Sequence, residues 1–273
     1  AAWAMLGWSK YGKDSDALER AVLFADWMIE YAFRGDWPTC TVVLGPSGRA
    51  SDPLAGSFQS GGILFFLELY EATGDLRYRH VAERMTKFYL KHFIADDGEI
   101  TCIKDIYGDC PGVHDTAKWP LDWQRMHQVN DDFGGVSLSK AYREFGMDDC
   151  KRRLSAYFKW LGGMANPDGS FCKPAIEVGS ATVSIFLRQY GAIADKGEES
   201  AIRRMDKSCL DYLLTIQQSS SKREADGAFL GMDNQCKCGG GKWVNIRCTS
   251  YSVIALLGAS GCAMFPISSS DLR

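Results

Sequence analysis

Apolar and polar positions alternate along this chain in two distinct styles, and the two styles take turns. Ile63-LFFLEL-Tyr70 is apolar almost all round, which predicts a helix buried on most of its faces. Tyr78 to Phe93 instead places Val81, Ala82, Met85, Phe88 and Tyr89 at helical spacing among Arg and Lys, which predicts an amphipathic helix with one face in solvent. A Gly-centred turn, ATGD, joins the two. This unit recurs about four and a half times. The copies begin at Ala1, Gly62, Gly134 and Ser180, and TSYSVIALLGASG from Thr249 to Gly261 supplies a fifth buried helix alone.

Repeats of this length form stacked supersecondary units that share one core. Buried inner helices alternating with amphipathic outer ones describe an all-α ring of helical hairpins, an (α/α) toroid, spanning residues 1–273 as a single domain. Gly74, Gly146 and Gly191 fall where inner helices should end, as C′ residues do, and acidic residues after them suit the outer-helix starts. The turns Asp97-Gly98, Asp168-Gly169 and Asp226-Gly227 each precede an apolar residue expected to tuck against the ring.

Composition narrows the classes. With 46% hydrophobic residues the chain can bury one large core. A formal charge of −3 and the lack of a basic stripe argue against a nucleic-acid partner. No apolar run reaches the roughly 20 residues that span a bilayer. A chain that opens at Ala1 inside an apolar helix says nothing of targeting, so the compartment stays open. Of the ten cysteines, Cys150, Cys209 and Cys262 read as small packing residues, and Cys102 and Cys110 share a loop and can pair. Cys236, Cys238 and Cys248 cluster without a CxxC pair or a nearby histidine, so neither a metal nor another cofactor is expected.

Chemistry is expected in three long loops, from Gly35 to Gly56, Ala95 to Asp132 and Ser219 to Thr249, because each leads from an outer helix into an inner one and all three should open on one face. The middle loop brings Trp119, Trp123, His127, Asn130, Asp131 and Asp132 to the start of an inner helix. Hydrolysis of a sugar linkage needs carboxyl groups held in a pocket, with aromatic rings nearby for sugar faces. Asp131 or Asp132 equally suits the N-cap of the helix starting near Phe133, and His127 equally suits a structural role. Trp37, Gln59, Trp243, Asn245 and Arg247 are the candidate substrate contacts of the other loops, where Arg247 offers a bidentate fork for a carboxylate. Tyr251 follows on the last inner helix.

The phrase YEATGDLRYRHVAERMTKFYL resembles the hairpin signature of six-hairpin glycosidases and related α/α-toroid carbohydrate enzymes, and NPDGSF and LDYLLTIQQ share the style. Within that group, VNDDFGGVSLSKAYREFG resembles the segment of unsaturated glucuronyl and rhamnogalacturonyl hydrolases where an Asp pair opens an inner helix. The resemblance implies an oligo- or polysaccharide substrate and a general acid/base role for Asp131 or Asp132. It also implies a ring of about six hairpins, and so residues before Ala1.

The same fold houses other chemistry. A uronate lyase would use Tyr251, His127, Arg247 and Asn245 for β-elimination. Sugar epimerases use histidine pairs, and only two of the four histidines fall in the expected mouth. A terpene cyclase of the DxDD type finds only Asn130-Asp131-Asp132, and a prenyltransferase finds no zinc triad. A non-catalytic toroid is the remaining reading.

Overall fold

Helical hairpins account for nearly every element of the computed structural model, which describes residues 2–39, 55–104, 106, 133–171, 177–219, 221–223, 226–230 and 246–261. Their order is α1 (Ala2–Gly12), α2 (Ser15–Trp27), α3 (Gly61–Thr73), α4 (Leu76–His92), α5 (Gly134–Phe145), α6 (Asp148–Met164), α7 (Glu177–Gly191), α8 (Glu199–Thr215) and α9 (Ile246–Ala259). Each odd-numbered helix packs on the even-numbered one that follows it. The odd ones also pack on one another in sequence, α1 on α3, α3 on α5, α5 on α7 and α7 on α9. This is the toroid expected, with inner helices side by side and outer helices around them. Four two-residue strands pair as β1 (Phe33–Arg34) with β2 (Trp37–Pro38) and β3 (Ala55–Gly56) with β4 (Ile103–Lys104), both antiparallel.

The burial follows the two sequence styles. Every residue of α3 from Ile63 to Leu69 is buried, whereas α4 buries Tyr78, Val81, Ala82, Met85, Thr86, Tyr89 and Leu90 and leaves its other face in solvent. Helix α1 departs from the expected inner-helix pattern. Only Leu6 is buried, and Met5, Trp8 and Tyr11 are exposed. Among the described residues it packs chiefly on α2 and α3.

Turn chemistry sets the hairpin ends. Gly74 and Gly146 adopt left-handed conformations, with φ of 72° and 64°, at the C-termini of α3 and α5. Gly191 does not: α7 runs through it and ends in a turn whose Ile193 and Ala194 amides donate to the Tyr190 carbonyl. Asp14 and Asp75 cap the next helices, accepting from the amides of Asp16 and Ala17 and of Arg77.

The Asp-Gly turns join one hairpin to the next. Gly98 and Gly169 have φ of +90° and +86°. A Cβ at Gly98 would lie 2.3 Å from the Tyr157 amide nitrogen on α6, and one at Gly169 would lie 2.0 Å from the Ser208 carbonyl oxygen on α8. Each turn therefore sits directly on the backbone of the next outer helix. The apolar residues that follow, Ile100, Phe171 and Phe229, close bridges to Ile94, Ala165 and Gln217 and are buried, as their placement after the turn predicts. Gly169→Ala should lower stability well beyond the roughly 1–3 kcal/mol of left-handed strain alone. Gly146→Ala, at a positive φ with nothing within 4 Å of the added carbon, should cost only that strain. Chemical denaturation of both variants checks the difference.

Candidate functional site

Phe133, immediately before α5, is where the N-terminal ends of α1 and α3 and the first turns of α9 come together, at the end of the ring expected to form its mouth. The Phe133 side chain lies 5.7 Å from Trp3 of α1 in an edge-to-face arrangement and 6.3 Å from Tyr251 of α9. It also covers Gly61 at the start of α3, where an added Cβ would come within 3.3 Å of the ring. The Ser137 hydroxyl donates to the Ser60 carbonyl at 2.9 Å, locking the first turn of α5 to the start of α3. Trp3, Phe133 and Tyr251 are each half-buried.

Phe133 occupies the N-cap position of α5 and makes no side-chain cap. Neither aspartate of the preceding pair stands at that position. Asp131, Asp132, Asn130, His127, Trp119, Trp123, Trp243 and Asn245 lie outside the described residues, and so does the side chain of Arg247, whose backbone is in the first turn of α9. Tyr251 is brought to the mouth beside Phe133.

Trp37 is a correction. Expected to offer a sugar-stacking surface, it is fully buried at 0% exposure. Its ring stacks on Phe88 at 5.4 Å and packs against Tyr89 and Phe93, while its Nε1–H donates to the Gly56 carbonyl and to Gln59 Oε1, both at 3.1 Å. No substrate can reach it. Gln59 Oε1 also accepts from the Gly56 amide at 3.2 Å, so this half-buried side chain braces the approach to α3. The physical reason is the short β1–β2 hairpin, which turns Trp37 inward onto α4.

A polar cluster that the sequence reading passed over lies deeper in the ring. Lys140 on α5 donates to Glu68 Oε1 at 2.6 Å and lies 3.0 Å from Glu71 Oε1, both on α3. Seven residues separate Phe133 from Lys140, so the pair sits about 10 Å down the helix axis from the mouth. Burial pushes the Glu68 carboxyl above its ordinary range, Lys140 opposes that shift, Glu71 adds to it and Lys10 lowers it. The sequence signal was an acid within the apolar run of α3, matched by the single lysine of the next inner helix.

Of the histidines, His80 and His92 stand on the outer helix α4, where His92 packs on Phe88, and His114 and His127 lie outside the described residues. Cys150 and Cys209 are buried, with the Cys150 thiol pushed up to about 12 chiefly by burial. Cys102 is also buried, and Cys110, Cys236, Cys238 and Cys262 lie outside the described residues, as does the side chain of Cys248. Among the described residues no group of three or more His, Cys, Asp or Glu is placed to hold a metal, and no helix is long and apolar enough to cross a membrane.

No protein-family model and no curated protein sequence matches the chain. Solved structures do. An unsaturated glucuronyl hydrolase from Bacillus sp. GL1, described as responsible for the degradation of glycosaminoglycan, superposes with a TM-score of 0.72 at 16% identity, over 93% of this chain and 71% of that one. A sugar epimerase from a ruminal bacterium gives 0.73 at 12% identity, over 96% and 69%. A family 105 glycoside hydrolase from C. acetobutylicum ATCC 824 gives 0.65 at 12% identity, over 97% and 71%. At these identities the similarity establishes the fold, an α/α toroid shared with glycosidase-like enzymes.

Two predictions follow from the site's supports. Trp37→Ala should cost about 3–5 kcal/mol of stability, as truncation of a buried Trp does, read by thermal or denaturant unfolding. Lys140→Met would leave two carboxylates without their buried cation and should cost about 3–5 kcal/mol at neutral pH. Glu68 in that variant holds its proton in the folded state at a pH where the unfolded chain has released it. The deficit is therefore complete above the raised value and closes as pH falls toward 4.5, the ordinary glutamate value. Unfolding curves across pH check the sign.

Proposed function

We propose that this protein is a carbohydrate-active enzyme, a glycoside hydrolase that acts on uronic-acid-containing oligosaccharides with Asp131 and Asp132 as the acid/base pair. The observation that carries this reading is the placement of Phe133. It takes the N-cap position of α5 and packs on Trp3 and Tyr251, where the starts of several inner helices meet. Consecutive Cα atoms are about 3.8 Å apart, which ties Asp132 to that place.

The surroundings support an anionic sugar. The N-terminal ends of several inner helices gather at the mouth, and such ends favour negative charge. Half-buried aromatic rings line the same place, where the apolar face of a sugar ring can stack. One carboxyl protonates the reacting sugar and its conjugate base then activates water. The glucuronyl hydrolase and family 105 hydrolase likenesses support the same class.

The second reading is β-elimination, favoured by the position of Tyr251 next to Phe133. There Tyr251 would act with His127, and Arg247 and Asn245 would neutralise the uronate. The epimerase likeness points to a third chemistry on this fold, which would fall to His114 and His127, because the other two histidines stand on an outer helix.

Incubation with uronic-acid polysaccharides and their lyase-generated oligosaccharides, followed at the unsaturated-uronate absorbance band, tests the proposal. Loss of absorbance is expected. Asp131→Asn or Asp132→Asn should reduce the rate about 100- to 10,000-fold, the usual share of a general acid/base, with unchanged melting. Full activity in both variants rejects the pair, and a gain of absorbance assigns the lyase chemistry to Tyr251 and His127.

A further inference from the structure

Ten large apolar side chains are exposed among the described residues, and five of them stand on the first hairpin: Met5, Trp8, Tyr11, Leu23 and Phe24. The other five are scattered, one each at Phe58, Leu76 and Leu214 and two on α9, Ile246 and Val253. Single exposed apolar residues are ordinary, but a group of them on one element marks an interaction surface. On α1, Met5, Trp8 and Tyr11 follow one another at i, i+3 spacing and so form a ridge. On α2 and the π-helical turn Met28–Ala32 that follows it, Phe24 stacks on Trp27 at 5.9 Å and Trp27 packs on Tyr31 at 6.3 Å. Phe24 also meets Phe65 of α3 edge-on at 6.1 Å, which anchors this row of rings to the toroid.

Trp8 is 62% exposed and yet fixed. Its Nε1–H donates to Asp14 Oδ2 at 3.1 Å, while the other oxygen of Asp14 caps α2. The indole lies over Gly12, where an added Cβ would come within 3.1 Å of it. An exposed tryptophan already held in place gives up little conformational entropy when it is covered, as a binding anchor requires.

We propose that the first hairpin is a docking face for a second copy of this chain, the two α1–α2 hairpins packing on each other about a two-fold axis. Charge selects that occupant. The exposed charged residues of the hairpin are Lys10, Lys13 and Arg20 against Asp16, Glu19 and Glu30, three of each sign. A surface balanced in this way meets its own copy without net repulsion and pairs opposite signs across the axis. The rest of the fold points the same way. Among the described residues, the hairpins α3–α4, α5–α6 and α7–α8 expose at most one large apolar side chain each, so the first hairpin is the one with an apolar face to offer. The inference is independent of the carbohydrate reading.

Sedimentation velocity of the full chain at rising concentration is the test. It should show a reversible monomer–dimer equilibrium without larger species, because a two-fold contact closes on itself. Trp8→Glu and Leu23→Glu should each weaken dimerisation about 100-fold or more, since each substitution enters the contact twice and buries a charge without a partner. Leu214→Glu, the same change at an exposed position of α8, should leave the equilibrium as in the wild type. All three sites are exposed, so melting curves should stay near the wild-type value. A wild type that is monomeric at every concentration overturns the proposal, and its cosedimentation with phosphatidylcholine vesicles, lost in Trp8→Glu, would give the face to a lipid surface instead. A dimer that survives both Trp8→Glu and Leu23→Glu overturns it as well. So does growth into larger species that Val253→Glu abolishes, which would assign a head-to-tail contact through α9.

Discussion

Everything at the mouth depends on how one hairpin is seated on the next. The contact that sets this is the Asp-Gly turn lying against the backbone of the following outer helix, Gly98 on Ala156 and Tyr157 and Gly169 on Ser208. The approach is too close for any side chain, and the positive φ it requires is one that L residues adopt only under strain. With the turn held there, the apolar residue two positions after its glycine, Ile100 or Phe171, is buried in the ring. Each such turn seats one hairpin on the next, α4 on α6 and α6 on α8.

The interior of the ring is divided by that geometry. At the mouth the inner helices present first turns built from small residues, and their aromatic neighbours keep part of their surface open. About 10 Å down the axis the ring instead holds a charged pair, Glu68 and Lys140, with Glu71 beside it. Such a pair is a weak source of net stability but a strong source of register, because either partner alone is costly to bury. It ties α3 to α5, the two helices whose starts frame Phe133. The polar center of the ring thus positions the apolar one above it.

The likeness to glucuronyl hydrolases, a sugar epimerase and a family 105 hydrolase is a likeness of this scaffold. A ring whose helix starts all point to one mouth places any set of loop residues around a shared centre. Different reactions then need only different side chains on the loops, which is why the fold alone does not select among them. In this chain Trp3, Phe133 and Tyr251 meet where those starts gather.

The alternation of all-apolar and one-sided helices, with Gly and Asp at the joints, was legible in the sequence because helical periodicity and turn preferences are local properties. Asp75 at an outer-helix start, Gly74 and Gly146 as helix ends, and the buried residues after the Asp-Gly turns all follow from it. The candidate acids were legible as residue types ahead of an inner helix. Contacts between residues far apart in the chain were not. Trp37 reads as a loop tryptophan until a two-residue strand pair turns it into the core, where Gln59 is committed to hold it. Glu68 and Lys140 are unremarkable until two inner helices face each other, and Trp3 joins Phe133 and Tyr251 only once the ring has formed. Periodicity decides which face of a helix is apolar; only the packed ring decides which apolar faces remain open at the mouth.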